Sequence, residues 1–392
     1  MMKKQNKRFL HFSILGAFMA VIVFMFFMNL NVSFGLETDM IEKYTTILGF
    51  SKDNNSHTPK NVLLVNIAYD RQLVDVKDEL GIPVGNTDLT DRKKLFYFLN
   101  ALHKSKKYRF ILLDIDLSKK QGKTIYDDSL CNLISIMDRI AIPSPVTGDL
   151  LSPKLMKKSY PSLYTKLLWN DKCAKYPLVC DGKLSIASYM YQEINKNNIT
   201  SFCGIIFDNN GMLPSSICLT LPYYIKSAYQ EDGEKNYYNL GSDILTDGDS
   251  NVISGLSDNK IILIGDFVER DMHNTYLGIQ PGVMIHYNIY DSLLSGRAYI
   301  TINILLLIWI VCFFLTMLQF HSISLTEIIA KIIHVKNQAA ITFLTWIDYT
   351  LLFELISFYI FIFYGKIYEL IIMSTYLTLQ KYIIELCRKH LR

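Results

Sequence analysis

Two long stretches without a charged side chain constrain this chain more than any other feature. They cover residues 9–36 and 298–326. Each holds an apolar core of about 20 residues, and a helix of that length, rising about 1.5 Å per residue, crosses the ~30 Å hydrocarbon layer of a bilayer. The sequence therefore predicts transmembrane helices over 9–30 and 299–320.

The first stretch also allows a different interpretation, a cleaved signal peptide. Ser33, Phe34 and Gly35 form a small-x-small pattern after the apolar run. The apolar region of a signal peptide is only about 7 to 15 residues long, however, and this one is longer. We favour a retained span. The basic residues before it predict a cytoplasmic N-terminus over residues 1–8.

The end of the chain contains two further apolar stretches. They predict helices over 341–364 and 367–385, although one kinked helix is an alternative. Basic residues suit a cytoplasmic loop over 321–340 and a cytoplasmic tail over 386–392. The prediction is about four spans in a multi-pass protein of the cytoplasmic (inner) membrane, with residues 37–296 on the extracytoplasmic side.

Composition agrees with a domain held by membrane segments. The chain of 392 residues is 50% hydrophobic and 19% charged, and the charged residues lie mostly between the apolar ends. Its formal net charge is only +4, and no dense basic stripe with interleaved aromatic residues is present. Nucleic-acid binding therefore has no electrostatic support.

The segment 37–296 has the pattern of an α/β domain. Nearly continuous apolar runs at 61–67, 110–117 and 260–267 are typical of parallel strands covered on both faces, and 199–207 is a weaker candidate. The predicted fold is a parallel or mixed sheet covered by helices.

Helical spacing of apolar residues supports this fold class. Residues 88–105 predict an amphipathic helix between the first two strands, with Asp88 or Thr90 as its cap. Residues 160–169 and 185–196 also have a helical pattern.

Acidic residues occur at the ends of the three predicted strands, and ligands of open parallel sheets bind beyond the carboxyl ends of strands. Carboxylate oxygens and one imidazole suit a divalent metal or a cationic or hydroxylated ligand. The alternative is that these residues cap helices and pair with Arg92 and Arg270. The candidate ligand-binding residues are Asp70, Asp114, Asp116, Asp266, Glu269, Asp271 and His273.

Strong catalytic motifs are absent from the sequence, including GxSxG, the Walker motif and HExxH. We therefore expect no enzyme activity, with a metal-dependent hydrolase as the alternative. No cofactor is expected except, in that alternative, a divalent metal.

Five of the seven cysteines fall in the segment 37–296, where disulfides persist if it is extracytoplasmic. Cys173 and Cys180 flank a short loop-like segment, so we predict a disulfide between them. Cys203 and Cys218 are equally compatible with small apolar core positions.

One carboxylate falls inside a predicted span. Glu354 lies near the middle of 341–364, where insertion of a charge costs roughly 2.5 to 3.5 kcal/mol. We expect Glu354 to be protonated, paired or turned toward other helices, with Thr375, Tyr376 and Thr378 as candidate partners. It either holds the bundle together, contacts a partner protein, or makes a simple bond between spans.

The sequence resembles a known family in three segments, residues 65–70, 89–117 and 261–296. They are similar to the two ends of a CHASE type 2 sensor domain, and the most specific features are Gly265-Asp266, Thr275 and Pro281-Gly282-Val283. The resemblance implies an extracytoplasmic sensor domain flanked by one N-terminal and about three C-terminal spans.

In the resembled proteins a kinase or cyclase normally follows the last span, whereas here only residues 386–392 follow it. We therefore expect a stand-alone sensor that binds an unknown ligand and relays through its spans to a separate membrane or cytoplasmic signalling partner. The bilayer is a further partner, and the pattern is compatible with a homo-oligomer. An envelope enzyme with a metal-assisted acidic site and a non-catalytic membrane scaffold are the alternatives.

Overall fold

The structure is a computed structural model. It describes residues 2–30, 61–77, 80, 82–119, 124–145, 148–162, 165–166, 172–202, 205–219, 236–246, 250–275, 278–323, 326, 338–364, 366 and 368–390. The helices in these ranges are α1 (Met2–Met28), α2 (Arg92–Ser105), α3 (Asp127–Ile136), α4 (Ile186–Asn195), α5 (Ser250–Ser257), α6 (Gly282–Leu294), α7 (Ile302–Phe320), α8 (Gln338–Tyr364) and α9 (Ile371–His390).

The strands in the described ranges are β1 (Val62–Asn66), β2 (Arg71–Lys77), β3 (Pro83–Thr90), β4 (Phe110–Leu113), β5 (Ile140–Pro143), β6 (Ser159–Tyr160), β7 (Thr165–Lys166), β8 (Cys173–Pro177), β9 (Val179–Cys180), β10 (Lys183–Leu184), β11 (Thr200–Phe202), β12 (Ile205–Asp208), β13 (Gly211–Leu213), β14 (Ser216–Cys218), β15 (Tyr237–Asn239), β16 (Ile261–Gly265), β17 (Met272–Thr275) and β18 (Gly278–Pro281). A 3₁₀ turn covers Pro153–Lys158, and a π-helical turn covers Leu240–Ile244.

A six-stranded parallel sheet forms the centre of the domain. Its order is β15-β1-β16-β4-β5-β6. The three predicted strands, β1, β4 and β16, lie side by side at its centre and are buried along their whole length. Burial on both faces of the sheet explains why the sequences of these strands are continuously apolar. The predicted α/β fold with a parallel sheet is confirmed.

Helices cover both faces of the sheet because successive side chains of a strand point to opposite faces. Leu64 and Leu112 pack in one cluster with α4 and α6. Leu63 and Ile111 pack in a second cluster with α2, α3 and α5. The result is a three-layer α/β/α domain.

A second sheet lies on the α4 and α6 side of the central sheet. It has the order β14-β8-β17-β18, and β7 also pairs with β8. Strand β8 pairs in parallel with β17 through Cys173 and Thr275, and its five residues are all buried.

Several predicted elements were wrong in detail. The candidate strand at 199–207 is not part of the central sheet, because β11 and β12 pair with each other in antiparallel fashion and β11 is exposed. Helix α2 is capped by Asp91 rather than by Asp88 or Thr90, because the two latter residues belong to β3. The helix predicted at 160–169 is also wrong in its described part, where β7 pairs with β8.

The apolar helices pack together in their own core. Ala17 of α1, Ile308 of α7, Phe353 of α8 and Met373 of α9 share one buried cluster. Outside it, large apolar side chains such as Phe18 remain more than half exposed, as expected of helices surrounded by lipid.

Two helical segments in the described residues are long and apolar enough to cross a membrane, Phe9–Met28 and Ile302–Phe320. The apolar part of α8, Tyr349–Tyr364, is shorter, and α9 carries Lys381 and Glu385 among its apolar residues. The two longer segments are consistent with a membrane protein, whereas four spans remain a prediction. The possible cleavage site at Ser33 to Gly35 and most of the predicted loop 321–340 lie outside the described residues.

Candidate functional site

A cleft of about 450 Å³ opens at the carboxyl edge of the central sheet. The residues at its wall come from the ends of β1, β4, β5 and β16 and from the β2–β3 hairpin. Its charged lining residues are Arg71, Asp88, Asp114, Asp116, Asp266, Arg270 and Asp271. The structure thus brings together four of the seven candidate residues, namely Asp114, Asp116, Asp266 and Asp271.

Asp266 is fully engaged within the protein. Its Oδ2 accepts a hydrogen bond from Arg71 at 2.6 Å, and its Oδ1 accepts the backbone N–H groups of Val268 and Glu269 at 2.9 Å each. The other arginine of the cleft, Arg270, pairs with Asp88. Both arginines of the lining are therefore committed to protein carboxylates.

Asp114 and Asp271 form the distinctive part of the cleft. The side chain of Asp114 is only 10% exposed, and the Oδ2 atoms of both residues are buried where no N–H or O–H group of the described residues donates to them. Burial, the negative charge of Asp271 and a hydrogen bond between the two carboxyls raise the pKa of Asp114 well above its ordinary value. Because two ionised carboxylates offer each other no donor, that bond requires a proton held between them.

Gly282 allows Asp271 to take this position. A Cβ atom at residue 282 would lie 2.3 Å from Asp271 Oδ2, so any other residue would displace the carboxylate. The backbone N–H of Gly282 donates to the Asp271 carbonyl at 2.8 Å. Asp271 thus lies at the first turn of α6, where the helix dipole favours negative charge.

His273 supports Asp271 from the side. Its Nε2 lies 3.0 Å from Asp271 Oδ1. Burial alone would lower the pKa of His273, but hydrogen bonds with Asp271 and Cys173 outweigh it and raise the pKa to about 9. The imidazole is therefore protonated at neutral pH and forms an ion pair with Asp271.

The predicted disulfide between Cys173 and Cys180 is wrong, because both thiols are free. Cys173 begins β8 and bonds with His273, whereas Cys180 ends β9 in a hairpin with β10. Cys218 is buried in β14, and Cys203 lies outside the described residues.

Two buried, uncharged side chains, His286 and Tyr176, lie behind the acidic pair. A hydrogen bond of 2.8 Å joins His286 Nδ1 to the Tyr176 hydroxyl, and His286 Nε2 lies 3.7 Å from Asp114 Oδ2. Burial and the positive charge of His273 lower the pKa of His286 to about 3. His286 therefore supplies no positive charge to Asp114 at neutral pH.

The remaining candidate residues lie elsewhere. Asp70 bonds Lys94 Nζ at 2.6 Å and the backbone N–H of Gly241 at 3.0 Å, so it ties α2 to the π-helical turn. Glu269 is exposed, and neither residue belongs to the described lining of the cleft. Asp70 therefore lies in a structural ion pair, although its partner is Lys94 and not Arg92 or Arg270.

The divalent-metal alternative has no geometric support. In the part of the chain that the structure describes, no three side chains of His, Cys, Asp or Glu are grouped to hold a metal ion. Asp116, which is exposed, turns its carboxylate to Ser118 instead, accepting that residue's backbone N–H at 2.8 Å.

Strand β8 connects the surroundings of the acidic pair with the residues just before α9. Cys173 bonds His273, and Tyr176 bonds His286. Between them, Lys175 is fully buried, and its Nζ lies 2.7 Å from Oε2 of Glu369, a residue just before α9. The sequence did not predict this buried strand, because its sequence, CAKYP, contains a lysine, and lysine is rarely buried.

The carboxylate in the third predicted span, Glu354, lies in a different environment from the expected one. Glu354 is half-buried, and it has no hydrogen bond or ion pair with the described residues. Two of its candidate partners donate elsewhere, Tyr376 to the Gly16 carbonyl and Thr378 to the Ser374 carbonyl.

Comparison with known proteins gave one family. The family model described as CHASE2 domain matches residues 17–319, which is more than half of the chain. No curated protein and no solved structure matches significantly.

Proposed function

Because the chain belongs to the CHASE2 domain family, a family of sensory domains, we propose that it is a membrane-anchored signal-input protein. Its α/β domain lies outside the cytoplasmic membrane and binds a small ligand in the acidic cleft. Occupancy of the cleft shifts the packing of the membrane helices, and a separate membrane or cytoplasmic partner receives the signal.

The contacts of β8 carry this proposal. One short buried strand bonds the histidines beside Asp114 and Asp271 and also holds Glu369 through Lys175. A buried, close-packed strand transmits displacement because interiors of this density do not deform locally without cost. A change at the acidic pair therefore reaches the beginning of α9.

Further polar contacts join the domain to the helices. Ser215 donates its backbone N–H and its hydroxyl to Asn29 at the end of α1, at 2.9 and 2.6 Å. The carbonyl of Tyr299, just before α7, accepts bonds from Lys366 and Tyr368. These bonds couple the domain to three separate helical segments.

Topology is the first test. We propose four spans with both termini in the cytoplasm, supported by the two apolar segments and by the basic flanks. Periplasm-active reporters fused after residues 150, 335 and 392 should be active only at 150. Activity at 335 or 392 would contradict the four-span arrangement.

Hydrogen exchange tests the relay. In the full chain, the Asp114→Asn variant has an amide in place of the carboxyl that shares a proton with Asp271. The amide instead donates a hydrogen bond to Asp271. We expect at least a twofold change in the exchange rates of residues 368–375. Asp258→Asn is the matched control, because Asp258 is exposed and precedes β16, at the opposite edge of the sheet. Equal exchange in both variants would refute the relay.

Partner recovery tests the output. Co-purification from native membranes should recover the same signalling partner repeatedly. Catalytic turnover measured with the purified chain alone would instead favour the envelope-enzyme alternative.

A further inference from the structure

A small antiparallel sheet lies where the α/β domain meets the apolar helices. It has the order β11-β12-β13, and among the described residues it shares no strand with the central sheet or with the sheet of β8. Strand β11 is exposed along its whole length. Because no ladder of hydrogen bonds joins this sheet to the other two, it can move as a unit without breaking their strand pairing.

The chain that leaves this sheet contacts the end of α1. Ser215 lies two residues after β13, and it donates its backbone N–H to Asn29 Oδ1 at 2.9 Å and its hydroxyl to the Asn29 carbonyl at 2.6 Å. Asn29 directly follows α1, and its side-chain amide donates to the Met25 carbonyl at 2.7 Å. The last turn of α1 is therefore tied to the β11–β13 sheet.

Strand β13 also contacts the beginning of α7. The backbone N–H of Ile300, two residues before α7, donates to the Met212 carbonyl at 2.9 Å, and the two residues form a β-bridge. Both side chains pack in the cluster of the apolar helices. One short sheet thus holds an end of each of the two segments that are long enough to cross a membrane.

The Tyr299 side chain fastens this arrangement to the α/β domain. Its hydroxyl and that of Tyr191 both donate to Oδ2 of Asp208, the last residue of β12, and the two hydroxyls are 3.0 Å apart. Oδ1 of Asp208 accepts the backbone N–H groups of Asn210 and Gly211 at 2.7 and 3.0 Å. A polar network in which every member is bonded fixes one geometry.

We propose that Tyr191, Asp208 and Tyr299 form a latch that sets the positions of α1 and α7 relative to the α/β domain. While the Tyr299 hydroxyl is bonded to Asp208, the β11–β13 sheet and the ends of both helices are held in one arrangement. When that bond opens, the sheet and the two helix ends move together. The latch is distinct from the contacts of β8, and it rests on the proposed function in that the membrane helices carry the signal.

The latch joins a fixed part of the domain to a part that can move. Tyr191 belongs to α4, is 1% exposed and packs in the same cluster as the central strands. Asp208 is half-buried, and the next two residues of its turn, Asn209 and Asn210, are exposed. Water therefore replaces the Tyr299 hydroxyl at the carboxylate when the latch opens, and no charge is left unsolvated. Because hydrogen bonds to protein and to water are similar in strength, the two arrangements differ by a small free energy.

The backbone of Tyr299 extends the effect to the other helices. Its carbonyl accepts hydrogen bonds from Lys366 Nζ at 2.6 Å and from the Tyr368 hydroxyl at 2.9 Å, and both residues lie between α8 and α9. A shift of Tyr299 therefore changes the contacts of the segment between these helices as well as the beginning of α7.

Hydrogen exchange of the full chain in detergent, resolved to single amides, tests the latch. The reporters are the amides of Ser215 and Ile300, which donate to α1 and β13 residues respectively. Tyr299→Phe removes the hydroxyl, and Asp208→Asn removes the charge but keeps an acceptor for the turn. Each variant should raise the exchange rates of both reporters about fivefold, the factor for loss of one hydrogen bond, and leave the amides of β1 and β4 unchanged.

Two controls separate the latch from ordinary loss of stability. Tyr97→Phe removes a hydroxyl from a side chain that is 49% exposed on α2, and it should leave both reporters unchanged. The double variant Asp208→Asn/Tyr299→Phe should exchange like either single variant, because both changes open the same latch.

Three results would overturn the proposal. Faster exchange at Ile300 without a change at Ser215 would show a local effect of the neighbouring residue. Faster exchange that extends to β1 and β4 would show general destabilisation. Additive effects in the double variant would show that Asp208 and Tyr299 act independently.

Failure of the latch is distinguishable from failure of the proposed function. If Asp114→Asn leaves exchange at residues 368–375 unchanged while the latch variants raise both reporters, the relay through β8 is wrong and the latch remains. If Asp114→Asn changes that exchange while the latch variants leave Ser215 unchanged, the relay remains and the latch is wrong.

Discussion

Removing one partner of the buried pair between Lys175 and Glu369 should destabilise the protein strongly. Lys175 is 0% exposed and Glu369 is 5% exposed, so neither solvent nor salt screens the pair. Glu369→Gln leaves the ammonium group of Lys175 in the interior without its carboxylate. The weaker hydrogen bond of the same ammonium group to the Leu30 carbonyl, at 3.5 Å, remains in this variant.

The expected loss is about 3 kcal/mol, at the lower end of the ~3 to 5 kcal/mol typical of a broken buried pair, because weaker contacts of Lys175 survive. For a cooperative unit of this size it corresponds to a fall in Tm of roughly 6 to 12 °C. The measurement is thermal unfolding of the full chain in detergent.

A double-mutant cycle isolates the interaction. Lys175→Met alone should also be costly, since it leaves the carboxylate of Glu369 buried, but the double variant should recover most of the loss. We expect a coupling energy of about 2 to 3 kcal/mol between the two positions.

A surface pair with the same change is the matched control. Glu193 and Lys196 form an ion pair whose lysine is 75% exposed, so Glu193→Gln should cost no more than about 0.5 kcal/mol. If Glu369→Gln costs no more than Glu193→Gln, the pair is not desolvated, and the argument that β8 is tied to the beginning of α9 fails.

Three further changes test other parts of the molecule. Gly282→Ala should displace the Asp271 carboxylate and lower the stability measured by thermal unfolding by about 1 to 3 kcal/mol. Gly255→Ala, which has open space around it, should instead stabilise α5 by about 0.5 to 1 kcal/mol. Equal effects of the two variants would contradict the close approach of the Asp271 carboxylate to residue 282. Because the pKa of His273 is raised, its ion pair with Asp271 contributes to the free energy of unfolding. This contribution is present below about pH 6.5 and is lost as the pH rises through about 9. The free energy of unfolding of the wild type should therefore fall by about 2 kcal/mol over that interval, whereas that of His273→Gln should not. If the free energies of the two proteins change in parallel with pH, this ion pair is refuted. Glu354→Leu should change oligomer size or partner recovery in membrane extracts without altering the Tm of the α/β domain, and unchanged assembly would remove any role for Glu354.

The sequence alone determined the layers of this protein. Strands β1, β4 and β16 were predictable because burial on both faces demands continuous apolar residues, which is a local property of each segment. The positions of Asp114 and Asp266 followed from the same reasoning, since the carboxyl ends of neighbouring parallel strands meet at one edge. The apolar segments of α1 and α7 were equally legible, because the thickness of a bilayer sets their length.

Only the tertiary structure decided which acids are neutralised. Asp70 and Asp266 were indistinguishable from Asp114 in sequence, yet Lys94 and Arg71 pair with the first two. Arg71 and Asp266 are 195 residues apart, and no local pattern reports a contact at that separation.

The same limit applies to β8 and to the cysteines. The direction of the Cys173 thiol depends on the pairing of β8 with β17, and that pairing turns it to His273 rather than to Cys180. Lys175 is buried only because Glu369, 194 residues later, is placed against it by the packing of the helices. Local sequence sets which segments are buried, whereas the partners of a buried charge are chosen by long-range packing, because its desolvation must be offset by whichever opposite charge the fold brings near.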